Sequence, residues 1–167
     1  MLNRARAMTA LTAAALTAAL SAGTAAQATP ATTSDPGELA VKRALVAAGS
    51  SPDADFTVTP GGTGAANWNA SRYGYTGTFR DGSSILDVAW TSSRLESFGI
   101  APDRTIWHAW PGSGRWQEMP HNGRADDTGA AAAQGARRAV SVEVYGSGYW
   151  CSVDPGNGQW GAWSRCG

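Results

Sequence analysis

An all-β fold of tandem four-stranded antiparallel units, preceded by one short helix, is what this sequence predicts. Three observations carry that expectation. Past Trp68, short runs of β-branched and aromatic residues alternate with Gly, Pro, Asp and Asn turns. The same region resembles itself at a spacing of roughly 44 residues. Only one stretch of the chain carries both a helix start and a helix stop.

Residues 1–28 read as a leader, a signal peptide, and not as fold. Arg4 and Arg6 precede an apolar Ala/Leu/Thr run that reaches about Leu20, and Ala26-Gln27-Ala28 has the form of a cleavage site. Secretion to an extracellular, oxidising location follows from that reading. Residues 29–34 are rich in Thr, Ala and Pro and read as a linker. Residues 35–66 hold the expected helix and a Gly/Pro-rich segment. Asp35 can cap, Pro36 stands at the first helical position, and Glu38 completes a capping box. Val41, Leu45 and Ala48 share one face, Lys42 and Arg43 look outward, and Gly49 supplies the stop. One strand is expected around Phe56–Thr59.

The β domain spans 67–167. Strands are expected near Gly74–Phe79, Ile85–Trp90, Arg94–Phe98, Thr105–Trp110 and Trp116–Met119, then near Val140–Tyr145, Tyr149–Val153 and Gln159–Trp163. Arg80-Asp81-Gly82-Ser83 and Pro111-Gly112-Ser113-Gly114 read as tight turns joining antiparallel neighbours. Ala130–Ala133 has helical propensity, but Gly129 and Gly135 leave it too short to nucleate, so it reads as a weak edge strand.

Leu95-Glu96-Ser97-Phe98-Gly99 aligns with Val142-Glu143-Val144-Tyr145-Gly146, and Ile106-Trp107 with Tyr149-Trp150. Pro111-Gly112-Ser113-Gly114-Arg115-Trp116 aligns with Pro155-Gly156-Asn157-Gly158-Gln159-Trp160. With Ile85–Trp90 and Ala130–Gln134 as leading strands, each unit has four antiparallel strands. A period of roughly 44 residues is that of a propeller blade, and a β-sandwich or small barrel holding a duplicated hairpin is the alternative.

Leu95-Glu96-Ser97-Phe98, then Ile106-Trp107-His108-Ala109-Trp110 and Gly114-Arg115-Trp116, resembles the repeat of bacterial PLL-type β-propeller lectins. Val142-Glu143-Val144-Tyr145 with Tyr149-Trp150 and Gln159-Trp160-Gly161-Ala162-Trp163 is similar to the same unit, and to the two-blade fucose-binding lectins that trimerise into closed rings. The resemblance covers residues 85–166 and implies sugar binding on propeller-type blades. It departs where Cys151 stands at the His108 position and Ser152-Val153 stand for Ala109-Trp110.

Charge excludes some partners. The chain has 13 basic and 13 acidic side chains, and without residues 1–28 the balance becomes 11 to 13. Nucleic acid and anionic membranes call for a basic face. Beyond residues 1–28, no segment approaches 18 uninterrupted apolar residues, so none is expected to be embedded in a membrane. Cys151 and Cys166 lack a C-x-x-C spacing and further ligands, and read as a structural disulfide. Two His and scattered carboxylates make a poor metal set, and nothing calls for a cofactor. Asp126-Asp127 reads as a solvated turn between units, short of the oxygens calcium takes. No G-x-S-x-G or H-E-x-x-H is present. Glu96 and Glu143 recur at one aligned position, which favours a repeated structural role over paired catalytic carboxylates.

Eight Trp beside three Phe is an unusual balance. An exposed indole offers a flat apolar face with a polar edge, which matches the C–H face and hydroxyl rim of a sugar. Trp107 and Trp150, being repeated, read as packing residues. Trp110 and Trp116 are the candidate platforms, with His108, Arg115 and Glu118 as polar borders. The expected function is therefore a secreted, non-catalytic, carbohydrate-binding protein whose partner is a glycan or cell-surface polysaccharide. A secreted structural or protein-binding, inhibitor-like role is the alternative, and a glycoside-active enzyme ranks third. Two units cannot close a ring alone, so the helix is expected to cap a monomer, with symmetric assembly as the second solution.

Overall fold

Eleven strands are present among the described residues, 36–37, 54–62, 64 and 66–167 of the computed structural model. The leader and linker, and all of the expected helix except Pro36 and Gly37, lie outside the described residues. β4 (Ser84–Thr91), β5 (Arg94–Ile100), β6 (Ile106–Ala109) and β7 (Gln117–Glu118) form an antiparallel meander. β1 (Asp55–Pro60) pairs antiparallel with the outer edge of β4 and makes this sheet five-stranded. β8 (Asp127–Gln134), β9 (Arg137–Val144), β10 (Gly148–Asp154) and β11 (Ser164–Arg165) form a second meander of four. β2 (Trp68–Arg72) and β3 (Tyr75–Phe79) form a separate hairpin. The protein is thus all-β, with antiparallel sheets, none of which closes into a barrel.

Alternation along β4 explains the layering. Successive side chains of a strand point to opposite faces. Leu86, Val88 and Trp90 enter a core shared with Ala131, Val140 and Val142 of the second sheet. Ile85, one position out of phase, enters a core with Ala70 and Phe79 of the hairpin. Asp87, on that same face, holds Arg72 of β2 through two bonds of 2.7 and 2.8 Å and accepts the Ser97 hydroxyl. The first sheet is therefore covered on both faces. Gly99 is required for this, because a Cβ there would lie 2.5 Å from the Phe79 ring.

Several expectations need correction. Arg80–Ser83 does turn, with Ser83 N–H donating to Arg80 O, but it links β3 to β4, which belong to different sheets. Residues 159–163 form no strand; the ladder resumes only at Ser164. Ala130–Ala133 does lie in an edge strand, as expected, but one of eight residues, because burial of both alanine faces outweighs their weak strand propensity. Asp126 is no solvated turn residue. It is 7% exposed, and its carboxylate takes Arg80 and Arg104, each at 2.9 Å, and the Tyr145 N–H. The aligned motifs are not structurally equivalent either. Phe98 pairs with His108 inside the first sheet, whereas Tyr145 lies in the β9–β10 turn, 60% exposed. Trp116 directly precedes β7, while Trp160 stands four residues before β11.

The Cys151–Cys166 disulfide is present and joins β10 to the chain just past β11. Ser141, central in β9, donates its hydroxyl to the Gly37 carbonyl at 3.3 Å, so Gly37 lies against the second sheet.

Candidate functional site

At the seam between the two meanders, four buried ionisable side chains make a chain of hydrogen bonds. Glu96 on β5 points into the shared core, where a bare carboxylate would be costly. Its Oε1 accepts His108 Nδ1 at 2.7 Å and Trp160 Nε1 at 3.2 Å. Its Oε2 accepts Trp90 Nε1 at 2.9 Å and Arg138 Nη1 at 2.7 Å. Arg138, on β9, lies between the Trp90 and Trp160 rings, 5.2 and 4.9 Å from their centres. Its Nε and Nη2 both reach Asp154 Oδ2 at the end of β10. Asp154 Oδ1 takes the N–H groups of Gly156, Asn157 and Gly158 at 2.8, 3.1 and 3.0 Å.

That last contact explains the second P-G-x-G-x-W segment. Gly156 and Gly158 have φ of 109° and 83°, a left-handed conformation in which glycine bears no Cβ penalty. The loop so formed turns three backbone donors onto one carboxylate and delivers Trp160 into the core.

Electrostatics follow from these bonds. Burial alone would raise the Glu96 carboxyl, but the His108, Arg138 and Trp90 donors outweigh it and hold it below its ordinary 4.5. Asp154 behaves alike: burial pushes it up, and Arg138 with the loop N–H groups brings it below the usual carboxylate range. Glu96 is therefore ionised and accepts two donors on each oxygen. It has no proton to give and no free lone pair aimed at a substrate. Because an ionised carboxylate only accepts, His108 Nδ1 donates the proton of this bond.

His108 lines a pocket of about 390 Å³ together with Trp110, Pro111, Arg94, Leu95 and Gly158. That volume lies within the range of small-molecule sites. The Trp110 ring is half-buried and stands 5.0 Å from the His108 ring at 57°. His108 and Trp110 are thus brought together.

The other three candidates go elsewhere. Trp116 is 3% exposed, packs edge-on against Phe79 at 4.6 Å and donates to the Tyr75 carbonyl at 3.1 Å. It offers no open face. Arg115 and Glu118 are exposed beside a groove of about 480 Å³. The half-buried indole in that groove is Trp107, a residue the sequence assigns to packing. Trp107 lies opposite Glu118 in the ladder. Trp107 and His108 are successive on β6, so the candidate set is divided between two faces of one strand. Sequence reasoning missed Arg138 and Asp154. An acid directly before Pro-Gly-x-Gly was the available signal for Asp154. No group of three or more His, Cys, Asp or Glu suited to a metal ion occurs among the described residues.

Compared with models of protein families, with characterised proteins and with solved structures, the chain matches none.

Proposed function

We propose that the protein is a secreted, non-catalytic carbohydrate-binding module that holds a glycan in the seam pocket. One observation carries this reading: a half-buried indole, Trp110, stands beside an imidazole whose Nδ1 is locked to Glu96 and whose ring lines the pocket. Trp110 would meet the C–H face of a sugar, and His108 Nε2 would hydrogen-bond a hydroxyl. The saturated Glu96 and Asp154 carboxylates support binding over glycoside cleavage, which calls for a free acid and a free base or nucleophile. The lectin-like motifs support it as well, with the two four-stranded meanders taken as blades and the protein as a monomer.

Glycan-array screening followed by Trp fluorescence titration tests the reading. Trp110→Ala is expected to weaken binding about tenfold or more, with only a small change in melting temperature. A variant that loses stability while binding stays intact would return Trp110 to the core and remove the site. Release of sugar from a bound glycan, abolished by replacing one carboxylate, would favour an enzyme.

A further inference from the structure

A second pocket, of about 360 Å³, opens where the loop after β7 meets the second sheet. Val142 and Val144 of β9 give it an apolar floor, and Trp150 and Trp163 line it. Arg104, Arg124 and His121 are the basic side chains of its lining, which contains no carboxylate. The two guanidinium groups retain capacity for an anion. Arg104 is 41% exposed and shares Asp126 with Arg80, so two cations face one acid. Arg124 is 46% exposed and reaches Glu118 only at 3.5 Å.

The geometry of the pocket is held from three directions. His121 and Asn122, neither of them glycine, adopt φ of 69° and 49° in succession, a conformation that occurs chiefly where surrounding structure imposes it. Gly123 follows, and a Cβ there would lie 2.4 Å from Trp163 Nε1 and 2.7 Å from Ile106, so glycine lets the indole close over the loop. Trp163 Nε1 is buried without an acceptor among the described residues. Finally, β11 has two paired residues, and the Cys151–Cys166 bridge ties the segment bearing Trp163 to the strand bearing Trp150. Two indoles beside two arginines whose carboxylate partners lie outside the pocket lining fit a ring with an apolar face and a negative substituent.

We propose that this pocket binds an acidic sugar, a hexuronate unit of a polysaccharide, with its ring against Trp150 and Trp163 and its carboxylate against Arg104 and Arg124. The proposal does not depend on the seam pocket. A neutral sugar would leave the two arginines of the lining unused.

Calorimetric titration of the full-length chain at low salt, with tetragalacturonate, cellotetraose and benzoate as probes, tests it. Tetragalacturonate is expected to bind at least about tenfold more tightly than cellotetraose, and Arg124→Met to remove about tenfold of that affinity. Trp110→Ala is expected to leave tetragalacturonate binding unchanged, which separates this pocket from the seam. Equal affinity for the acidic and neutral tetramers, binding of benzoate alone, no binding of tetragalacturonate, or an Arg124→Met variant that binds as before would each overturn the proposal.

Discussion

The two meanders share a strand order and a P-G-x-G-x-W segment, yet they are held together by different means. The first is built on large side chains: Leu86, Val88, Trp90, Phe98, Ile100 and Ile106 fill one face, and Phe79 and Trp116 pack with Ile85 on the other. The second puts smaller ones, Ala131, Val140 and Val142, into the shared core and turns Ala130, Ala132 and Ala139 away from it. Alanines bury little area each, so this sheet depends more on specific ties. Those ties are the disulfide, the Asp154 loop and Arg138, which reaches across to Glu96. Similar motifs therefore do different jobs. The first proline-glycine turn merely reverses the chain between β6 and β7, whereas the second positions a buried carboxylate.

Side chains that align in sequence provide the sharpest way to break this comparison. Phe98→Ala is expected to cost ~3–5 kcal/mol, as for a fully buried aromatic, and Tyr145→Ala less than about 0.5 kcal/mol. Urea denaturation measures both, and similar losses would restore the equivalence of the two segments. Next in size is Arg138→Ala, which strands Glu96 and Asp154 without their shared cation and is expected to cost roughly 3–5 kcal/mol. Its neighbour Arg137 is less buried, and Arg137→Ala should be nearly neutral. Matching costs for these two would remove the ion chain from the account. Reduction of Cys151–Cys166, which closes a span of 15 residues, is expected to remove about 3 kcal/mol. Hydrogen exchange should then show protection lost first in β10 and β11, and loss beginning in β4 or β5 would contradict the division proposed between the two sheets.

The smallest effect is one of pH. Glu96 and Asp154 both sit below their ordinary carboxylate values in the folded state. A depressed folded value means that the stabilisation is complete above the unfolded value and is lost as pH falls through the folded one. Stability should therefore decline from about pH 4.5 downward, and Glu96→Gln should flatten that acid limb. Asp127 runs the other way: burial raises its carboxyl more than the Ser84 and Thr128 bonds lower it, so it opposes folding once ionised. An acid limb as steep in Glu96→Gln as in the parent would place the titration elsewhere.

Much of this was legible in the chain. The run of apolar segments between Gly, Pro and Asp turns located nine of the strands to within a few residues, because a tight turn is specified by the residues inside it. The disulfide was legible from spacing and turn content. β2 was not anticipated, since Trp68–Arg72 mixes aromatic, small and charged residues that become a strand only when paired with β3. The site was half legible. His108 and Trp110 were named from their neighbours in sequence, and they do share a pocket. Trp116 was named by the same reasoning and is buried under the hairpin, because nothing in its own segment foretold that Phe79 would cover it.

Local chemistry, then, was enough for the all-β class, most of the turn positions and the covalent bridge. Which tryptophan remained partly open, and which carboxylate became buried and paired, was settled by packing between sheets. A period-two pattern states which residues share a face, but it carries no information on what lies over that face. Glu96 and Glu143 occupy matching places in their sequence segments. Only the approach of Arg138 and Trp160 from the other sheet made the first of them the buried hub of the seam.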